Sequence, residues 1–274
     1  MHRNTALFLL LLPAFFSCSN ANDNTRVLTN TTNAKATGEN TNQVYQTDTE
    51  DLLKDFMTWY EYTYHNIRLS QEFIAEDQNS NRIVKSTFLQ QLTTGDYVAL
   101  KTAKKNNVAV YKLWKQRDLQ SDIKSTMIQM AQTAIALENM EGKSLPAYHF
   151  TDLNGHAYTN ENTKGSVILI KCWFIHCVAC VEEFPELNRL ADRYKDRRDV
   201  QFISLATDQK ADLTSFLKKR PFNYKVVPGM GKYMSEALHV NAYPLHLLIN
   251  KEGTVVKASN AIEDILPCFE KELR

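Results

Sequence analysis

The sequence lacks a dominant charge: 32 basic residues stand against 31 acidic ones, leaving a net charge of +1 over 274 residues. That balance excludes a global field that would draw in nucleic acid or an anionic membrane surface, so partners must be recognised at a local site. It also lacks internal repeats. The apolar run near the N-terminus, Ala6 to Phe16, has 11 residues, too few to cross about 30 Å of hydrocarbon as a helix. Only one Cys-x-x-Cys pair is present, with no second such pair and no His-x₃₋₅-His pair. A closed zinc site normally draws four converging ligands from two paired clusters, so the missing pair argues against a metal centre. Covalent haem attachment is excluded because Val181, not histidine, follows Cys180.

What is there begins with an export signal. Arg3 precedes the apolar run, and Ser17 is a small residue before Cys18. A cysteine placed directly after such a run resembles the lipobox of bacterial lipoproteins, with Phe15 where leucine is usual, and this implies lipidation of Cys18 after cleavage. Between Ser19 and Val44, 13 of 26 residues are Asn or Thr. Too little apolar area is available there to offset the entropy of ordering the backbone, which predicts a disordered tether over 18–44.

Length allows one large or two modest domains. Thr47 and Glu50 have capping-box spacing ahead of Leu52, Leu53, Phe56, Met57, Tyr60, Tyr64 and Ile67, predicting one helix there. A weaker helix is expected near Ile83 to Leu92, then a hairpin from "YVALKT" and "VAVYKLW". A helix from about Ser121 to Met140, closed by Gly142, presents Ile123, Met127, Met130, Ala131, Ala134 and Leu137 on one face. Residues 45–140 thus read as a mostly helical module with a small hairpin and no chemical motif. Its methionines and its aromatics, Trp59, Tyr60, Tyr62 and Tyr64, are read as packing residues.

From Gly142 the pattern changes to short apolar runs alternating with helical stretches, the signature of an α/β unit. "SVILIKCWF" is almost wholly apolar, as a central strand covered on both faces must be. It leads into Cys177-Val178-Ala179-Cys180 and then the helical stretch "VEEFPELNRLADRY". Further strands are expected at "VQFISLA" and "NYKVV", helices at "LTSFLKKR" and "KYMSEAL", and a hairpin from "PLHLLIN" and "TVVKAS". A terminal helix follows, which Pro267 should kink or interrupt.

Two cysteines at i and i+3 on the first turn of a helix bring their sulfurs close enough to join. The first faces unpaired N–H groups that favour a thiolate, which makes Cys177 the attacking thiol. Cys180, one turn deeper, would resolve the mixed disulfide. Cys172 and Cys268 are read as small apolar core residues, with a regulatory thiol as the alternative for Cys172.

"CWFIHCVACVEEFPELNRL" resembles the active-site stretch of the TlpA-like thiol:disulfide oxidoreductases, in which the pattern is W-x-x-x-C-x-x-C-x-x-E-x-P. Trp173, Cys177, Cys180, Glu183 and Pro185 match it. "LPAYHFTDLNG" is similar to the family's opening strand and "AYPLHLLINKEGTV" to its cis-proline hairpin. The resemblance covers 142–274 and implies a thioredoxin-like domain, a central mixed sheet flanked by helices, of the wider redoxin superfamily. It implies further that Pro244 is cis and leaves the Tyr243 backbone free to pair with an extended substrate. It also implies a reductase fed by a membrane thiol donor, acting on cysteine-containing exported proteins from a lipid anchor in a Gram-negative cell envelope. No bound cofactor is expected, because the electrons reside on the Cys177–Cys180 pair.

Three features depart from the pattern, one of them the intervening pair, Val178-Ala179 rather than one containing proline. His176 stands where the family often has Trp, and it is open whether it favours the thiolate, relays protons or only faces solvent. Lys171 stands six positions before Cys177, where thioredoxin-like strands often carry an acid or amide. A buried lysine needs a partner, Glu183 is the natural one, and the pair could handle the proton of Cys180. Two other functions compete: a peroxidase of the peroxiredoxin type, disfavoured by Phe174 three residues before Cys177, and a non-catalytic lipoprotein that binds a partner or carries a metal.

Overall fold

Two sheets organise the computed structural model, which describes residues 26–27, 43–240 and 242–274. The expected signal peptide (1–17), Cys18 and most of the expected tether lie outside the described residues. The described parts of that tether are extended: β1 (Arg26–Val27) pairs antiparallel with β2 (Gln43–Gln46) at a sheet edge.

The single helix expected after Thr47 is two helices, α1 (Thr49–Leu52) and α2 (Phe56–Asn66). Aspartates cap both. Asp48, not Thr47, accepts from the backbone of Glu50 and Asp51, and Asp55 accepts from Thr58 N–H at 2.9 Å. An Asp side chain that bonds the backbone ahead of it favours a new helix start over continuation of the old helix. Next come β3 (Phe73–Glu76) and β4 (Arg82–Ile83), so the expected helix at Ile83 begins two residues later as α3 (Lys85–Leu92).

The predicted hairpin is present as β5 (Tyr97–Lys105) and β6 (Val108–Lys115), turning at Asn106 and Asn107 with φ of 50° and 67°. It is the centre of a larger six-stranded sheet in the order β1-β2-β5-β6-β3-β4. The added strands have two to four residues each, too few for alternation to register in the sequence. The helix α4 (Ser121–Met140) is the one predicted. It ends at Gly142, whose φ of +76° suits a residue without Cβ. Trp59, Phe88, Leu92, Ile123 and Met127 are buried together between helices and sheet, the packing role expected for Met127.

A ribbon of β7 (His149–Thr151) and β8 (Ala157–Thr159) opens the second half. Then follow β9 (Val167–Trp173), α5 (Val178–Glu182), α6 (Phe184–Arg193), β10 (Val200–Ala206), α7 (Lys210–Leu217) and β11 (Lys225–Val227). The stretch read as a short helix at "KYMSEAL" is a π-helical turn, Tyr233–Ala237. The chain closes with β12 (Leu245–Ile249), β13 (Val255–Ser259) and α8 (Ile262–Glu272). The strands form a mixed sheet in the order β11-β10-β9-β12-β13, parallel across β11, β10 and β9, antiparallel beyond. This is the α/β arrangement expected for the C-terminal half.

Two prolines act differently from one another. Pro185 has no N–H for the carbonyl one turn back, and the helix expected to run through "VEEFPELNRLADRY" is broken at Glu183 into α5 and α6. Pro267 does not interrupt α8 as its sequence position predicts; the helix continues through it. Ile262, Ile265 and Phe269 are buried on either side of it, and that burial outweighs one lost backbone bond.

The halves meet through Leu137 and Met140 of α4, which pack into the apolar cluster of the second half, and through polar contacts. The Asp264 carboxylate accepts from Ser70 Oγ at 2.8 Å, Gln71 Nε2 at 2.6 Å and Ser259 Oγ at 2.6 Å. Lys257 Nζ reaches Glu141 at 2.9 Å and the Ser70 carbonyl at 3.0 Å.

Candidate active site

The strand β9 is buried at every residue and delivers the chain to the end of the sheet at Trp173. Trp173 is fully buried and meets Phe184 edge-on at 4.9 Å, which anchors the start of the following loop. Asp208, a residue the sequence reading passed over, fixes that loop by accepting from Ile175 N–H at 2.8 Å. Cys177 then caps α5, and its Sγ accepts from Cys180 N–H at 3.3 Å.

Cys177 and Cys180 are joined as a disulfide. Cys177 is 9% exposed and Cys180 fully buried, so only the first can be approached from solvent. His176, Val178 and Ala179 are exposed around it. The Tyr243–Pro244 bond is cis, and the Tyr243 ring packs edge-on against Phe174 at 5.3 Å. Thus the cis-proline loop adjoins the loop that carries the cysteines.

Beneath the disulfide lies the pair anticipated from topology. Lys171 Nζ donates to Glu183 Oε2, with the lysine side chain wholly buried and Glu183 19% exposed. Glu183 is in reach because the break at Pro185 leaves it at the α5–α6 junction, one turn after Cys180. A third member was missed. His246 of β12 is fully buried, and its Nε2 lies 3.1 Å and 3.3 Å from the two Glu183 oxygens. A lone histidine inside "PLHLLIN" was the available signal, but only the register that sets it beside Lys171 gives it meaning. His176 and Pro185 are not part of this cluster: the first faces solvent and the second shapes the helix.

Burial works to raise the Glu183 carboxyl, but the His246 hydrogen bond and the Lys171 charge outweigh it and hold the group below its ordinary value. Burial pulls the Lys171 ammonium down against the attraction of Glu183. Burial also lowers His246, with its Glu183 hydrogen bond opposing. An imidazole kept neutral in the fold stabilises fully above 6.5, its unfolded value, and that contribution is lost as pH falls through the lowered folded value. Urea midpoints measured from pH 7.5 to 5.5 are therefore expected to fall more steeply for the native chain than for His246→Gln. Equal slopes would mean that His246 is not held neutral by burial in the fold.

Cys172 faces the opposite side of the sheet from Lys171, and burial pushes its thiol up to about 12. Iodoacetamide at neutral pH should leave it unlabelled in the folded, reduced protein, since the thiolate is the reactive form. Labelling at the rate of a free thiol would contradict that burial. Cys268 is half-buried on α8. Among the described residues, no group of three or more His, Cys, Asp or Glu could hold a metal ion, and no helix is long and apolar enough to cross a membrane.

A Cys-x-x-Cys disulfide at the head of a helix, at the end of a mixed sheet and beside a cis-proline, defines the thioredoxin-fold class of proteins that exchange disulfides. The family profile described as Redoxin matches residues 140–270. Thiol-disulfide oxidoreductase ResA of Bacillus thuringiensis subsp. konkukian is 30% identical over 122 residues, 44% of this chain and 70% of the relative. ResA of a Bacillus cereus strain is 29% identical over 117 residues, 42% of this chain and 67% of the relative. Among solved structures, the thioredoxin domain of a thiol-disulfide oxidoreductase from Bacteroides vulgatus covers 49% of this chain and 98% of its own, with 23% identity and a TM-score of 0.44. The chain belongs to the redoxin family and is a thioredoxin-fold thiol-disulfide oxidoreductase.

Proposed function

We propose that the protein is an exported, membrane-tethered reductase that exchanges its Cys177–Cys180 disulfide with cysteines of cell-envelope proteins. The observation that carries the reading is the unequal exposure of the two joined sulfurs. Cys177, reachable from solvent, attacks a substrate disulfide, and its thiolate is favoured by the Cys180 N–H. Cys180, sealed beneath it, attacks Cys177 Sγ and releases the substrate. Glu183, with Lys171 beside it, takes the proton that Cys180 gives up. Tyr243 and the exposed Val178 border the approach to Cys177, where an extended substrate segment would lie.

The tether and anchor rest on the sequence before residue 43, with Cys18 as the lipidated residue. The reductase direction rests on the resemblance to TlpA-like proteins, and a membrane thiol donor would then return electrons to the pair. Insulin reduction in the presence of dithiothreitol tests the activity, which Cys177→Ser should lose. A reduction potential nearer to that of thioredoxin, about −270 mV, than to the roughly −120 mV of a strong oxidant is expected. A value at the oxidising end would reverse the direction. Incorporation of labelled fatty acid, abolished by Cys18→Ser, tests the anchor.

A further inference from the structure

The sheet face under α5 and α6 is apolar except along one line. Ser204 of β10, Lys171 of β9, His246 of β12 and Ser259 of β13 are successive partners across four strands, and all four are fully buried. Stability does not account for such a row. Buried charges set against well-packed apolar residues of the same volume commonly gain nothing, and Leu245, Leu247, Leu248 and Ile249 surround His246 in its own strand. The row lies beneath the Cys177–Cys180 helix, and its two central members, Lys171 and His246, meet Glu183, which lies one helical turn after Cys180.

Glu183 is held from two sides. Lys171 Nζ donates to Oε2, and His246 Nε2 lies 3.1 Å from Oε2 and 3.3 Å from Oε1. The other ring nitrogen, Nδ1, is buried and has no hydrogen-bond partner among the described residues. A carboxylate facing Nε2 fixes the proton on that nitrogen and leaves Nδ1 as the one position where a further proton can add.

We infer that His246 is a positioning residue for the resolving step: as a neutral imidazole it aims the Glu183 carboxylate as proton acceptor for Cys180, and when protonated at Nδ1 it switches that acceptor off. The inference rests on the reading of Cys180 as the resolving thiol. In the step itself the Cys180 Sγ–Cys177 Sγ bond forms and the bond from Cys177 Sγ to the substrate sulfur breaks. The electron pair leaves with the substrate sulfur as a thiolate, and the Cys180 proton passes to Glu183. Over the two exchange steps together the cysteine pair is oxidised by two electrons and the substrate disulfide is reduced by two. With the imidazole neutral, Glu183 faces one cation, Lys171. With it protonated, the carboxylate lies between two cations and gives up its basicity.

The charged groups acting on His246 are Glu183 at the α5–α6 junction, Lys171 of β9 and Glu263 in the first turn of α8. Asp264 lies beyond Ser259, Lys257 of β13 is engaged by Glu141 and the Ser70 carbonyl, and the Tyr224 hydroxyl feels the Glu183 charge. Burial keeps the imidazole neutral through the neutral range, which places the switch on the acid side.

The test is the rate at which a preformed mixed disulfide between Cys177 and glutathione resolves in the full chain, followed by quenched mass spectrometry from pH 8 to 5. His246→Gln keeps an N–H donor for Glu183 but cannot ionise. It should match the native rate within about twofold at pH 7.5 and exceed it by a factor that grows on the acid side, toward about tenfold per pH unit once the native imidazole is charged, one ionisation having been removed. His246→Leu, with circular dichroism to confirm its fold, should be slower at every pH. Native and Gln profiles that superimpose from pH 8 to 5 would overturn the inference while leaving the exchange reading intact. A native chain that forms no mixed disulfide, or never resolves one, defeats the exchange reading itself.

Discussion

Glu183→Ala is expected to destabilise the folded chain by about 3–5 kcal/mol, the usual cost of stranding one partner of a buried ion pair. Lys171 has no other charge partner among the described residues, and its side chain is wholly buried. The reverse change, Lys171→Met, should cost less. Glu183 keeps the His246 hydrogen bond and is 19% exposed, so water can share its charge. Combining Lys171→Met with Glu183→Gln should restore much of the loss, because residues in one network do not contribute additively. Urea unfolding of the oxidised protein at pH 7 reads all three. A Glu183→Ala midpoint equal to that of the native chain would mean the pair is not buried as described. The same variant should slow disulfide exchange by about 10²-fold, the ordinary contribution of a positioned proton acceptor.

The second large effect separates the two sulfurs. Cys177→Ser should reduce exchange to the uncatalysed background, since a serine hydroxyl cannot replace a thiolate as nucleophile at neutral pH. Cys180→Ser should behave differently, still attacking and then stalling as a covalent mixed disulfide through Cys177. Intact-mass measurement after incubation with oxidised glutathione should show one added glutathione on Cys180→Ser and none on Cys177→Ser. The opposite pattern would exchange the roles, and it would contradict the exposure of Cys177 against the complete burial of Cys180.

Much of the catalytic half was visible in the residue order because its signals are local. A run such as Val167 to Trp173 is apolar throughout since both faces of a central strand are covered. Cys177 and Cys180 are spaced by a helical turn, and the Lys171–Glu183 pair could be reasoned from the need of a buried ammonium for a counter-charge. The N-terminal half was less legible. Its hairpin and α4 carry long periodic patterns, whereas β2, β3 and β4 are too short to display one, so a six-stranded sheet looked like a hairpin among helices. Aspartates at 48 and 55 divided what periodicity alone joined. Pro185 broke a helix and Pro267 did not; the difference is the packing around each, which no proline rule contains.

The pairing of Cys177 with Cys180, the strand that precedes them and the charge that must lie under them were already dictated by neighbours in the chain, because strand burial, helix spacing and charge compensation act over a few residues. The company that Glu183 keeps was not. His246 is 63 residues away along the chain and meets the carboxylate because β12 aligns with β9 in one particular register. Asp264 of α8 meets Ser70 across 194 positions because the two halves of the chain come to rest against each other. Register and docking are set by the summed packing of whole surfaces, and that sum exists only once the chain has folded.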